Sequence, residues 1–235
     1  MTSSAQTPRA RYREQTRAEI KEIALRQLAE GGTDGVALTR IAKEVGLSGP
    51  ALYRYFDSRD ALLTELIRDA YADLAAAVTA TAGILAPDTS PRARLRSLAA
   101  ACRDWAVEQP HRYLLIEGTP VPGYTAPADT VDSARAVLGP FLPAFEAAEP
   151  SAAVLPVVEQ MTAWAQRDAA VSQWVRGQVA ATAEGAALAG SVFAWSHMHG
   201  AIGLEVSGQF EGMGHDGGTL LTAQIDSLAD AFGLG

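Results

Sequence analysis

Apolar residues along this chain return every three or four positions, and nowhere do they alternate in twos for long enough to make a strand. From Tyr12 to about Glu30 the positions Ile20, Ile23, Ala24 and Leu28 form one stripe of a helix, which Gly31-Gly32 stops. A shorter pattern follows through Leu38, Ile41, Ala42 and Val45, and it ends at Gly46, whose backbone freedom suits a tight turn. A third begins almost at once. Ser48 stands where a side-chain oxygen can accept the unpaired N–H groups of a helix start, and Pro50 falls in the first turn, where no donor is needed. Leu52, Tyr55 and Phe56 then face inward, and Tyr53 and Arg54 face outward. Two short helices meeting at a glycine-marked turn, roofed by an earlier helix, are the plan of a helix-turn-helix reader of duplex DNA.

Beyond Asp57-Ser58, either of which can cap a helix, Leu62, Leu63, Leu66, Ile67, Ala70, Tyr71 and Leu74 continue the helical period. A run from Arg59 to about Val78 is roughly 30 Å long, enough to link two domains. Another helix is expected from Arg92 to about Glu108. The stretch 118–127 holds three prolines and two glycines and reads as a loop. Helices are expected at about 128–148, 151–183, 186–210 and 216–232, with Pro140, Pro143 and Pro156 able to bend or break them. The fold class is all-α, with about nine or ten helices. The expected division is a flexible basic arm over 1–14, a three-helix DNA-binding domain over 15–58, a connecting helix over 59–83, and a C-terminal helical bundle over 84–235 for effector binding and dimerisation.

Late in the chain Ala189, Ser196, Gly200, Gly203 and Ser207 set small residues along one helical seam. An apolar stripe of Leu188, Val192, Trp195, Ile202 and Val206 runs beside it. The last helix adds Leu221, Ile225, Leu228 and Phe232. Two such helices from each of two subunits would make a four-helix dimer interface. The same faces are also open to packing within one chain.

The formal net charge of −8 would argue against a nucleic-acid partner if it were evenly spread, but it is not. Residues 1–68 hold 11 Lys+Arg against 9 Asp+Glu, whereas residues 69–235 hold 8 against 18. Both lysines, Lys21 and Lys43, and the run Arg9, Arg11, Arg13 and Arg17 lie in the positive part, where phosphate neutralisation requires them. No apolar run approaches the roughly 20 residues of a membrane span, and the first residues lack a hydrophobic signal core, so a cytoplasmic protein is expected. The single cysteine, Cys102, has no partner for an internal disulfide. His197 and His199 point about 200° apart on a helix and cannot grip one metal ion together. The chain has no serine-nucleophile motif, phosphate loop or dinucleotide fingerprint, so neither an enzyme nor a cofactor is expected.

The sequence TRIAKEVGLSGPALYRYFDSRDALL, Thr39 to Leu63, resembles the TetR family of bacterial transcriptional regulators, and residues of about 15–67 fit that family's DNA-binding domain. Phe193 to Val206, through Trp195, His199 and Gly200, is similar to the Trp-His-Gly type of C-terminal domain. The resemblance implies a homodimeric, all-helical repressor with a small-molecule pocket in its C-terminal domain. It assigns Tyr53, Tyr55, Thr39, Arg40 and Arg59 to the DNA backbone. The recognition helix then offers Ser48, Gly49, Pro50, Ala51 and Arg54 to base edges, and Arg54 is the one strong bidentate donor, suited to guanine. One departure from the family is Ala37, where a capping Ser or Thr is usual. For the effector the chemistry points to Trp105, Tyr113, Tyr124, Met161, Trp164, Trp174, Trp195 and His199, a set that favours an apolar or aromatic molecule. The expected partners are an operator in double-stranded DNA, that effector and a second copy of the chain, with no membrane.

Overall fold

The computed structural model describes residues 7–117 and 130–235, and among them the chain is helical with no strand. Helix α1 spans Pro8–Gly31, starting before its apolar stripe does, because Thr7 accepts the Ala10 N–H and Pro8 fills the first position. Residues 8–14, expected as part of a flexible arm, are therefore the opening turns of α1, and Arg9, Arg11 and Arg13 project from it exposed. Then come α2 (Leu38–Val45), α3 (Gly49–Leu52) and α4 (Arg59–Ile84). The rest of the chain forms α5 (Pro91–Glu108), α6 (Pro110–Glu117), α7 (Thr130–Leu138), α8 (Leu155–Arg167), α9 (Ala169–Arg176), α10 (Glu184–Val206) and α11 (Gly217–Ala231).

The described residues fall into two compact units. The first holds residues 7–70 and 111–117, so its limit lies inside α4 rather than at residue 58, and α6 belongs with it. Its core is the inward stripe of α1, namely Ile20, Ile23, Ala24 and Leu28, closed by Leu38, Ile41, Ala42, Leu52, Phe56, Leu62, Leu63 and Leu66. From α6, Leu115 packs on this core, and the Arg112 guanidinium donates to the Asp69 carbonyl at 3.2 Å.

The second unit holds residues 71–110 and 130–235. Here α10 packs against α8, α11, α5 and a 3₁₀ stretch, Gly139–Phe145. The long helix expected over 128–148 is thus shortened to α7, since Pro140 and Pro143 lack the N–H groups that α-helical bonding needs. The expected helix over 151–183 is likewise cut, at Asp168, whose carboxylate caps α9 by accepting the Ala170 and Val171 N–H groups at 3.0 and 3.2 Å. At Gly190 the absence of a side chain lets the Phe145 ring lie against the α10 backbone, where a Cβ would come within 2.3 Å of ring atoms. Phe145 in turn meets Phe232 edge-on at 5.1 Å between centroids. Polar ties join the surface: Arg96 holds Asp226 with two bonds of 2.6 and 2.7 Å, and Arg103 holds Glu205 at 2.8 and 2.5 Å.

Candidate nucleic-acid interface and ligand pocket

The reader begins with a helix that cannot cap itself. Ala37 offers no side-chain oxygen to α2, and its own N–H is taken by the Gln27 side-chain carbonyl of α1 at 3.0 Å. Gln27 is buried, and its amide also donates to Glu44 at 3.3 Å, so one side chain ties both ends of α2 to α1. The far end of α2 closes at Gly46, which takes φ +77° in the left-handed region, and the Leu47 N–H returns to the Ala42 carbonyl at 2.8 Å. Then Ser48 accepts the Ala51 N–H at 3.3 Å and α3 starts.

Past α3 the chain turns tightly through Tyr53 and Arg54 to Phe56, and Arg17 of α1 fixes this turn. Its guanidinium donates to the Tyr55 carbonyl at 2.9 Å, lies 4.4 Å from the Phe56 ring centre, and pairs with Glu65 at 3.2 Å. Burial pushes the Glu65 carboxyl up, yet Arg17 and then Lys21 outweigh it, and the group ends below its ordinary range.

Thr39, Arg40, Ser48, Gly49, Pro50, Tyr53 and Arg54 are all exposed, while Ala51, Tyr55 and Arg59 are half-buried. Tyr53 is 51% exposed although it is a large aromatic residue, and Tyr55 instead packs on the core. Arg59 is turned inward. Its Nε donates to the Val36 carbonyl at 3.2 Å and its Nη2 to the Thr33 carbonyl, with Asp34 and Asp60 close by. Arg40 donates to the Gly35 carbonyl at 2.9 Å and still keeps an exposed face.

The charge on this unit is more uneven than its sum suggests. Arg17, Lys21 and Arg26 are all engaged by carboxylates. Arg9, Arg11, Arg13, Lys43 and Arg54 are exposed and make no ion pair among the described residues, so their charge is left for an external anion.

The predicted effector residues do not line one pocket together, although Trp195 and His199 are neighbours. Trp105 is in the core, Tyr113 belongs to the first unit, Tyr124 lies outside the described residues, and Met161 is half-buried on α8. Trp164 and Trp195 are 37% and 44% exposed, and His199 is exposed with its ring 5.8 Å from that of Trp195. Only Trp174 lines the large open pocket of the second unit, which measures about 690 Å³. Thr79, Ala82 and Gly83 at the end of α4 form one wall, Arg94 another, and Asp132, Arg135, Ala136, Pro140 and Pro143 much of the rest. Among the described residues no group of three or more His, Cys, Asp or Glu is arranged to hold a metal ion.

The dimer seam divides in two. Ser196, Gly200 and Ser207 are exposed, Gly203 is half-buried, and a Cβ at Gly200 or Gly203 would meet nothing within 4 Å. Trp195 and Leu204, both more than two-fifths exposed, lie on the same helix. Ala189, Leu221, Ile225 and Leu228 are instead buried within the subunit, because α11 lays its apolar stripe on α5 and α10.

Sequence reasoning passed over Gln27, Arg94 and Arg135, and took Arg17 only as one member of a positive run. Gln27 did carry a signal: it falls in phase with Ile20, Ile23, Ala24 and Leu28, and a polar residue on a core stripe needs a buried partner. No spacing marked Arg94 or Arg135.

A family model described as "Tetracyclin repressor-like, C-terminal domain" matches residues 95–228, and one described as "Bacterial regulatory proteins, tetR family" matches residues 20–66. The HTH-type transcriptional regulator Rv1816 of Mycobacterium tuberculosis is 42% identical over 147 residues, covering 57% of this chain and 58% of that protein, so the match spans less than two thirds of the relative. The crystal structure of a regulatory protein, SCO4313, is 42% identical with a TM-score of 0.76, covering 95% of this chain and all of that one. At 15% identity and a TM-score of 0.50, a TetR variant of Acinetobacter baumannii AYE, solved in complex with minocycline, shares the fold over 91% of this chain and 94% of its own.

Proposed function

The chain belongs to the TetR family of bacterial regulators, DNA-binding proteins rather than enzymes, and from that premise we propose that it is a homodimeric repressor which a small apolar or aromatic effector releases from a near-palindromic operator. The observation that carries the DNA-binding half is the exposed set Ser48, Gly49, Pro50, Tyr53 and Arg54 beside unpaired Lys43, in a unit where Arg17, Lys21 and Arg26 are engaged by carboxylates. Arg54 reads a guanine edge, Ala51 and Pro50 meet a thymine methyl, and Thr39, Lys43 and Tyr53 hold phosphates. Arg59 and Tyr55 act by bracing the reader, since Arg59 bonds into it and Tyr55 packs on its core.

Two readers about 34 Å apart would engage successive major grooves. The open small-residue face of α10, with Trp195 and Leu204, supports pairing of subunits there. The effector half rests on the 690 Å³ pocket, which reaches the last turns of α4, the helix that starts at Arg59. A ligand that favours one position of α4 changes reader spacing by its differential affinity for the two states.

Gel-shift titration of the chain's own promoter fragment tests the DNA-binding half. Arg54→Ala is expected to weaken specific binding by about 1–3 kcal/mol and to relax one base position, while Lys43→Ala weakens all fragments alike and lowers the salt slope by about 1. Gly200→Leu is expected to raise the monomer fraction in sedimentation without lowering subunit stability. No shift of any promoter fragment at low salt, or a stable monomer, would refute the proposal.

A further inference from the structure

We infer that the pocket of the second unit selects an effector carrying a negative charge, a planar apolar molecule with a carboxylate, through Arg94. The inference rests on the effector reading above and narrows it to a chemical class.

Three arginines follow one another at alternate positions in α5. Arg92 and Arg96 are satisfied by acidic residues of the last helix: Arg92 reaches Asp230 at 2.6 Å and Arg96 reaches Asp226 at 2.6 Å. The guanidinium of Arg94, which lies between them in sequence and is half-buried, makes no ion pair or hydrogen bond among the described residues, and Arg94 lines the pocket. Its position near the start of α5 brings no helix-dipole benefit, since a cation there meets the positive end. A half-buried guanidinium left unpaired, in a part of the chain that holds 18 acidic residues against 8 basic ones, is a group held for something outside the chain.

The remaining walls describe the rest of the ligand. Trp174, Pro140, Pro143, Ala82 and Ala136 give the pocket an apolar lining suited to a ring. Arg135 lies 5.9 Å from the Trp174 ring centre and pairs with Asp132 at 3.1 Å, so its charge is partly answered where that of Arg94 is not. The volume falls within the range of small-molecule sites, on the order of 300–1,000 Å³. A carboxylate paired in a fork with Arg94 gains charge-assisted bonds that the corresponding amide cannot supply.

The test uses the full-length protein with 2-naphthoate and the neutral 2-naphthamide, measured by calorimetry, and each is then added to the promoter gel shift. The carboxylate is expected to bind about tenfold more tightly than the amide. Arg94→Gln brings the two to equal affinity while leaving the amide unchanged, and Arg94→Lys retains part of the preference. Equal affinities on the natural chain, a preference that survives Arg94→Gln, or no binding of either molecule would overturn the inference. If naphthoate binds with the expected preference yet leaves DNA affinity unaltered, the anion site stands and the effector reading falls. If both molecules release DNA equally well, the effector reading stands and charge selection falls.

Discussion

Replacing Arg17 by methionine removes a guanidinium while keeping most of the apolar stem that rests on Phe56, so the substitution isolates the polar role of this residue. Three contacts disappear. The bond to the Tyr55 carbonyl is charge-assisted and half-buried and contributes about 1.5 kcal/mol. The contact with the Phe56 ring adds about 0.5–1 kcal/mol. The Glu65 pair, each partner about a quarter exposed and Lys21 still available to the carboxylate, adds at most about 0.5 kcal/mol. The total, about 2–3 kcal/mol, falls on the turn that presents Tyr53 and Arg54. All four tryptophans lie in the second unit, so their emission is blind to this change, and hydrogen exchange resolved by peptide is the suitable assay. Amides of residues 38–56 that exchange through opening of the first unit are expected to do so roughly 30- to 150-fold faster in Arg17→Met. Unchanged exchange in that stretch would show that Arg17 is a surface residue and that the turn is held by apolar packing alone.

Three further outcomes follow from the same structure. Because the folded Glu65 carboxyl lies below its unfolded value of about 4.3, its contribution is present above that value and is lost as pH falls through the folded one. The stability gap between the natural chain and Arg17→Met should therefore narrow below about pH 4, as followed by exchange or circular dichroism; a constant gap contradicts the assigned pairing. Gly190→Ala drives a methyl group into the Phe145 ring and is expected to destabilise the second unit by about 2–3 kcal/mol in tryptophan-monitored urea unfolding, and a change within about 0.5 kcal/mol would show that the ring moves aside freely. Gly46→Ala, at φ +77°, should cost about 1 kcal/mol in the first unit by the same exchange measurement, and no loss would mean that the turn relaxes out of the left-handed region.

The reader was legible because each of its devices is local. Gly46 marked the turn, Ser48 and Pro50 marked a helix start, and the period of Leu38, Ile41 and Ala42 gave the buried face; the structure has all of these. The start of α1 was written in Thr7-Pro8 but lost behind the arginines that follow. The second unit was harder to read because an apolar stripe states that a face is covered and not by what. Leu221, Ile225 and Leu228 fit a dimer as well as a core, and the packing of α11 on α5 and α10, set by residues far apart in sequence, decides for the core. The same non-locality left Trp195 and Trp164 at the surface, and it gave Arg94 its meaning only through what Arg92 and Arg96 already hold.

The bond from Gln27 to Ala37 makes the start of the second helix a property of the first. A graft that moves only residues 37–56 onto another scaffold would arrive with its opening amide unanswered, so a transplantable cassette has to begin upstream of Gln27. By the same logic, a substitution that shortens this amide would loosen the grip on DNA from a residue that never touches it.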